Sequence, residues 1–391
     1  MIRRQEALSL YLSSFQNAKS PILVYSHGRM EIVGNHTDHN HGLCLVSGVD
    51  LGITAAVSPR DDGIVAIHSE GYRPFRFSVL NLSLKEGERS TSLGLTKGVL
   101  EGMRKLGYKI GAFQASLTSD IPAGSGVSSS ACYESLIVKI VDALYNNNIV
   151  PPLAMAKIGQ YAENEYFGKP CGLLDQIGTS FGGTCFLDFH DPKNIYIETC
   201  PFDLPLDITL AITPSSHAGL DSLYGEIPSD MKSVARNLFH REVLGDVDES
   251  EFAQGIVRPC VGVSERAKLR AQHFFDENNR VMNAYEAIKT HNPGMFLDAI
   301  ERSHNSSASL LGNAMIPGHY EDSPKEAVDI AMSVLRHGRA RLMGGGFAGS
   351  IIAFSPAEET PLLRQTLIAR YGEKNVIPVT IFEGGPRLVG E

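Results

Sequence analysis

The chain has no tryptophan, and none of its apolar runs reaches the eighteen or so residues that a membrane-spanning helix needs. Its six cysteines, Cys44, Cys132, Cys171, Cys185, Cys200 and Cys260, are dispersed and form no Cys-x-x-Cys pair. That spacing excludes a zinc-ribbon pattern and reads as reduced thiols of a cytoplasmic protein rather than a disulfide framework. Positive charge is scarce: 35 Lys and Arg against 44 Asp and Glu leave a net charge of -9. Neither nucleic acid nor an anionic membrane is therefore expected as the main partner. The first twenty residues are amphipathic without a sustained apolar core, so they do not read as a signal peptide. Internal repeats and low-complexity tracts are also missing. What remains is 391 residues, 43% hydrophobic and 20% charged, enough for a large core divided over two or three domains.

Strands and helices alternate without a βαβα rhythm, which implies an α+β fold rather than a doubly wound sheet. Helix is expected at residues 9–18, then a strand opening after Pro21 and interrupted at His27-Gly28. Further strands are expected at 51–57, 64–68, 75–79, 113–118, 184–188 and 195–198, with helices at 95–106, 131–144 and 153–167. Pro201 to Asp207, with two prolines and no period, reads as a domain junction, giving units at 1–205 and 206–391. In the second unit a strand at 208–213 precedes helices at 229–239, 263–277, 281–290, 293–305 and 324–336. Two strands, 340–343 and 350–354, then flank the glycine run Gly344-Gly345-Gly346-Phe347-Ala348-Gly349.

Four segments carry chemistry. Asp120-Ile121-Pro122-Ala123-Gly124-Ser125-Gly126-Val127-Ser128-Ser129-Ser130-Ala131 is a glycine loop that runs through three hydroxyls into an apolar helix. Glycine admits close approach of backbone N–H groups, and a helix start adds unpaired donors and a positive dipole end, so the segment suits polyphosphate. It lacks the Lys of a Walker loop and the third glycine of a dinucleotide fingerprint; read alone, it is also compatible with a simple helix-capping turn. Arg29 leaves a strand into a polar turn holding His36, Asp38, His39 and His41, too crowded for an ordinary zinc site and open to either hydroxyl-rich ligand binding or plain solvation. Asp175 follows a Gly/Pro break, where it can face a cleft as a proton acceptor or merely offset a helix dipole. Glu163, inside a helix, has a surface acid as its ordinary alternative. The glycine run at 344–349 suits a tight inter-strand turn equally well.

Taken together and in order, these segments resemble the galactokinase branch of the GHMP small-molecule kinases. Gly28 to Gly42 is similar to the signature Gly-Arg-Val-Asn-Leu-Ile-Gly-Glu-His-Thr-Asp-Tyr-Asn-x-Gly, and Pro122 to Ala131 to Pro-x-Gly-x-Gly-Leu-Ser-Ser-Ser-Ala. Cys171 to Gln176 resembles Cys-Gly-x-x-Asp-Gln, and Met343 to Ser350 resembles Thr-Gly-Gly-Gly-Phe-Gly-Gly-Cys. Weaker echoes include His273, Glu277-Asn278 and Arg280-Val281, so the similarity spans nearly the whole chain. The resemblance implies a two-domain kinase with its active site in the cleft between domains, transferring phosphate from MgATP to the anomeric hydroxyl of a hexose. By that resemblance Asp175 faces the reacting hydroxyl and Arg29 holds it ionised. Gly124, Ser125, Gly126, Val127, Ser128, Ser129 and Ser130 form the triphosphate loop, and Ser130 with Glu163 the Mg²⁺ shell. Asn35, His36, Asp38, Gly172, Asp175, Arg29 and Tyr224 surround the sugar. The implied partners are sugar and ATP alone, the chain acting as a monomer.

Three departures bear on the substrate. Asn35 stands where the signature has Glu, near the sugar's C6 position, so loss of that charge admits a uronic acid such as galacturonate beside galactose. His39 replaces the signature's Tyr, and if charged it also favours an anionic substrate. Tyr224 is followed by Gly-Glu-Ile-Pro rather than Asn-x-Arg-Arg. A sensor that binds sugar and ATP without turnover is the alternative of a different class; the presence of Arg29, Ser130, Glu163 and Asp175 favours the enzyme.

Overall fold

The run of apolar and β-branched residues from Ile22 to Pro59 folds, in the computed structural model, into one long antiparallel hairpin. Its strands are β1 (Ile22–Val33) and β2 (Leu43–Pro59), paired from Ile22 opposite Val57 to Val33 opposite Leu45 with two shifts of register between. The structure describes residues 2–15, 19–169, 171–216 and 219–390. Sequence pattern implied a strand only from Leu51, but β2 begins eight residues earlier. It is buried along almost its whole length, so it lacks the polar alternation that marks a half-exposed strand. Strands β3 (Ile64–Ser69), β4 (Phe75–Ser78), β5 (Phe113–Ser119), β6 (Thr184–Asp188) and β7 (Tyr196–Cys200) complete most of this sheet. β2 serves two neighbours: its first part pairs with β6 and its last part with β5, while β3 lies parallel to β5.

Helix α1 (Arg4–Ser14) starts five residues before the expected helix at 9–18, whose residues 16–18 lie outside the described residues. Helices α2 (Ser92–Lys105), α3 (Ser129–Tyr145), α4 (Pro152–Tyr161) and α5 (Leu174–Phe181) follow. α2, α3 and α4 cover the β2–β5–β3 part of the sheet through a core that includes Leu95, Val99, Leu136, Ile137, Ile140 and Ile158. The 3.6-residue spacing of the α3 contributors is what makes that face apolar. α4 does not stop at its last turn; it widens into a π-helical turn, Ala162–Phe167, ended by Gly168 at φ +85°.

A second sheet consists of β8 (Asp207–Ile212), β9 (Arg339–Met343), β10 (Ser350–Ser355) and β11 (Val376–Val379), in the order β11-β8-β10-β9. β12 (Arg387–Leu388) returns to the outer edge of β1 in the first sheet. The remaining helices are α6 (Asp221–Phe239), α7 (Glu249–Gly255), α8 (Glu265–Lys289), α9 (Pro293–Ser306), α10 (Pro324–Val334) and α11 (Thr360–Tyr371). The helices expected at 263–277 and 281–290 are one 25-residue helix. Asn278, a weak helix former in the gap between the two expected helices, accepts a bond from the Leu43 N–H at 2.8 Å. Among the described residues no helix is long and apolar enough to cross a membrane.

One apolar cluster joins the two sheets. It includes Met30, Ile32 and Leu45 of the hairpin, Ile208, Ile352 and Phe354 of the second sheet, and Val281, Ile288 and Phe296 of α8 and α9. Each fully buried side chain of this size contributes about 1.5–3 kcal/mol, so the end of β1 and the end of β9 are fixed against each other. The mixed arrangement is the α+β fold that the sequence implied.

Candidate active site

The site begins with a backbone irregularity. The pairing of β1 with β2 slips between His27 and Arg29, and the Arg29 N–H turns instead to the Val127 carbonyl at 2.9 Å. A Cβ on Gly28 would lie 2.6 Å from that same carbonyl, so only glycine permits β1 and the 124–130 loop to approach this closely. The slip aims the Arg29 side chain, 7% exposed, into the gap between that loop and α5. Its Nη1 donates to the Gly126 carbonyl at 2.6 Å, and its Nε and Nη2 reach Asp175 Oδ1 at 2.8 and 2.6 Å.

Asp175 lies in the first turn of α5 with 32% of its side chain exposed. Its other oxygen accepts a short hydrogen bond from Ser128 Oγ. Burial pushes this carboxyl up, but Arg29 and the Ser128 hydroxyl outweigh burial and leave it below the ordinary range. It is therefore an anion with one face open to solvent. Ser128 itself is in the left-handed region at φ +59°, directly before α3. Gly124 and Gly126, at φ +75° and +70°, make the turn possible. Ser125 and Val127 are buried and Ser129 is exposed at the start of α3. The carbonyls of Ser125, Gly126 and Val127 all point inward, to Ser350 Oγ, Arg29 Nη1 and the Arg29 N–H.

Ser130 Oγ donates to Glu163 Oε1 at 3.1 Å. The π-helical turn positions Glu163, whose carbonyl takes the N–H groups of Gly168 and Lys169 at 2.9 and 3.1 Å. Lys169 Nζ lies 3.6 Å from Glu163 Oε1, and Gln176 Nε2 donates to Oε2 at 2.8 Å. Gln176 is the neighbour of Asp175, so one helix supports both carboxylates. Among the described residues no three His, Cys, Asp or Glu side chains converge as a ready-made metal centre. A hydroxyl beside one carboxylate is the donor set expected where a small hard cation is held chiefly by phosphates and water.

Across from this group stands Asp38. Gly172 backs directly onto it, since a Cβ on Gly172 would collide with Asp38 Oδ2. Burial, then the charge of nearby Asp175, pushes the Asp38 carboxyl up to about 6. Asp38 is thus close enough to Asp175 to feel its charge, and the two acidities are driven apart, one below the ordinary carboxylate range and one up to about 6.

The remaining expected residues meet the glycine run. Asn35, fully buried, donates from Nδ2 to the Gly344 carbonyl at 2.6 Å and to Glu31 Oε1 at 3.0 Å. Its Oδ1 accepts from Asn313 Nδ2 at 2.8 Å and Ser307 Oγ at 3.4 Å. The Asn35 amide is therefore engaged within the protein at both ends. His36 Nε2 lies 3.0 Å from the Gly345 carbonyl, and its Nδ1 lies 3.2 Å from His39 Nε2. A carbonyl only accepts, so His36 carries its proton on Nε2. Its Nδ1 then accepts from His39 Nε2–H, and His39 Nδ1 accepts from Asn40 Nδ2 at 2.8 Å. Burial lowers both rings, His36 to about 4, so both are neutral in this chain of bonds. Tyr224 Oη donates to the Gly346 carbonyl at 2.7 Å. Three consecutive glycine carbonyls are thereby tied to the turn after β1, to α6 and to Asn313.

Sequence reasoning brought out most of this group; of its supports, His273 and Glu277 stood out only as weaker echoes without a role, and Glu31, Arg341 and Asn313 were not singled out. Glu277 of α8 accepts from the Gly34 and Asn35 N–H groups at 3.1 and 3.2 Å, and His273 Nε2 donates to the Asn35 carbonyl at 2.9 Å. Glu31 pairs with the fully buried Arg341 at 3.1 Å. A carboxylate inside the otherwise apolar Met30-Glu31-Ile32-Val33 was the available signal for it. Asn313, beyond a second π-helical turn at Ser307–Leu311, gave none.

Comparison with known proteins bears on the family of the chain. Residues 94–183 match the family model of the GHMP kinases N terminal domain, and residues 9–59 match the galactokinase galactose-binding signature. The galactokinase of Pasteurella multocida (strain Pm70) is 28% identical over 378 residues, covering 96% of this chain and 95% of that protein. The crystal structure of Lactococcus lactis galactokinase complexed with galactose superimposes with a TM-score of 0.86 at 25% identity, covering 99% of both chains. The galactokinase of Pyrococcus furiosus is 30% identical over 367 residues, 90% of this chain and 94% of its own. An ordered set of motifs and likeness along the full length lead to one assignment: the chain belongs to the galactokinase family of GHMP kinases.

Proposed function

We propose that this protein transfers the γ-phosphoryl group of MgATP to the anomeric hydroxyl of galactose, giving galactose 1-phosphate and ADP. The observation that carries the reading is the Arg29–Asp175 pair set against Ser128 at the mouth of α3, with Asp38 facing it. Residues 1–205 hold the loop and most sugar ligands in this reading, and residues 206–391 supply the glycine run that closes the cleft. Similarity along nearly the whole chain to relatives named galactokinase supports galactose as the acceptor.

In the reaction the C1 oxygen attacks the γ-phosphorus, its bond to the β,γ-bridging oxygen breaks, and ADP leaves. The proton of the C1 hydroxyl passes to the open face of Asp175. A loose phosphoryl-transfer transition state needs alignment and charge neutralisation more than covalent help. Arg29 supplies a fixed cation, while backbone N–H groups from Ser128 into α3 face the phosphates. Ser130 and Glu163 fit as the holders of Mg²⁺, which when bound shields charge on the phosphates. Asp38, as a carboxylate, accepts from two vicinal hydroxyls at once and so reads their configuration.

A pH experiment tests the sugar side. Because Asp38 lies near 6 before sugar binds, acidification protonates it and removes an acceptor. The KM for galactose is expected to rise by roughly tenfold per pH unit below that value, with the KM for ATP flat. Asp38→Asn should remove the dependence and leave a uniformly high galactose KM. A galactose KM unchanged between neutral pH and pH 5 would take Asp38 out of hydroxyl recognition.

A further inference from the structure

The signature given above has Asn at the position of Glu31 and Glu at the position of Asn35, and this chain has the two types exchanged. The exchanged residues touch, Asn35 Nδ2 donating to Glu31 Oε1 at 3.0 Å. We propose that Glu31 and Asn35 act as one compensated pair that positions the glycine run over the sugar. In this pair the acid sits against Arg341 and the amide is left as the donor to Gly344. The proposal rests on the reading of the site as a galactose kinase.

The geometry makes the two positions interdependent. Arg341 is fully buried, and Glu31 is the acid it pairs with, at 3.1 Å, while its Nη1 is spent on the Ile32 carbonyl at 2.7 Å. Removing the Glu31 charge leaves a buried guanidinium without its counter-ion. At position 35 only a side chain that donates can satisfy the Gly344 carbonyl, 2.6 Å away, and only one that also accepts can receive the Asn313 amide at 2.8 Å. A carboxylate there meets the Gly344 oxygen and the Glu31 carboxylate at hydrogen-bond distance with no proton between them. Asn35 is accordingly a positioning residue. Its amide fixes the first glycine of a run whose next carbonyl is held by His36, two residues before Asp38.

The test is a four-membered cycle: the unaltered protein, Glu31→Asn, Asn35→Glu and the double variant, each measured by thermal unfolding and by separate KM values for galactose and ATP. Each single variant is expected to melt several degrees lower and to raise the galactose KM by tenfold or more, with the ATP KM within about twofold. The double variant, which restores the signature's arrangement, should melt above Asn35→Glu, because an amide at 31 donates to the acid at 35 where two acids repel; it should recover part of the galactose KM, the Gly344 carbonyl still lacking its donor. General destabilisation would instead affect both substrates alike. Asn35→Glu behaving like the unaltered protein, or a double variant showing the plain sum of the two losses, overturns the proposal. If the unaltered protein fails to phosphorylate galactose, the substrate reading falls, and the melting temperatures of the cycle still decide whether the pair is coupled.

Discussion

Asp175→Asn is expected to lower kcat by about a thousandfold while leaving the affinity for ATP within a few-fold. The substitution keeps the size of the side chain and its place in the first turn of α5, so packing around Leu174 and Ile177 is undisturbed. What is lost is a proton acceptor. An amide nitrogen turned toward the C1 hydroxyl offers a donor where the reaction needs a base, and turned toward Arg29 it sets two donors against each other. In the proposed reading, nucleotide binding depends on the turn at Gly124 and Gly126 and on the start of α3, which Asp175 touches through Ser128. Isothermal titration with a non-hydrolysable ATP analogue, beside steady-state kinetics, separates the two effects. A variant with kcat within tenfold of the original would remove Asp175 from proton transfer.

Arg29→Met is expected to cost a hundredfold to a thousandfold in kcat/KM and, more tellingly, to move the acidic limb of the pH–rate profile upward. Burial alone pushes Asp175 up, and Arg29 is first among the influences that bring it back below the ordinary range. Without that cation the carboxyl binds protons at higher pH, so activity is lost at a pH where the original enzyme is still fully ionised. Arg29→Lys keeps one charge but cannot reach both the Asp175 carboxylate and the Gly126 carbonyl. It should recover the pH profile more fully than the rate. A loss of rate with no shift in the profile would mean that Arg29 acts on the phosphates alone.

The physical origin of each feature explains how far sequence alone reached. The 124–130 loop was legible because its chemistry is local: glycine spacing, hydroxyls and a following apolar helix all lie within a dozen residues. The strand at 113–118 was legible from the alternation of Phe113, Ala115 and Leu117 with polar residues, and the one at 184–188 from a short apolar stretch after Gly182-Gly183. Arg29 and Asp175 came together only through order-preserving likeness to known motifs, since 146 positions separate them. The continuity of α8 was obscured because its Asn278 is held by tertiary contact with Leu43 rather than by local propensity. The beginning of β2 was obscured by burial on both faces. Asn35 showed the limit most plainly. Its type was read as a change of charge facing the substrate, whereas its amide is taken up by Glu31, Gly344, Ser307 and Asn313. Two of those partners lie 272 and 278 positions away, and no local pattern marks them.

Reading the phosphorylated product most directly tests the placing of Asp175 and Arg29 at the anomeric carbon of the sugar. Incubation with galactose and MgATP, followed by phosphorus–proton correlation spectroscopy, should show phosphorus coupled to the anomeric proton, with one ADP formed per sugar phosphate. Phosphorus coupled to the C6 protons, or ADP released with no phosphorylated galactose, would contradict it.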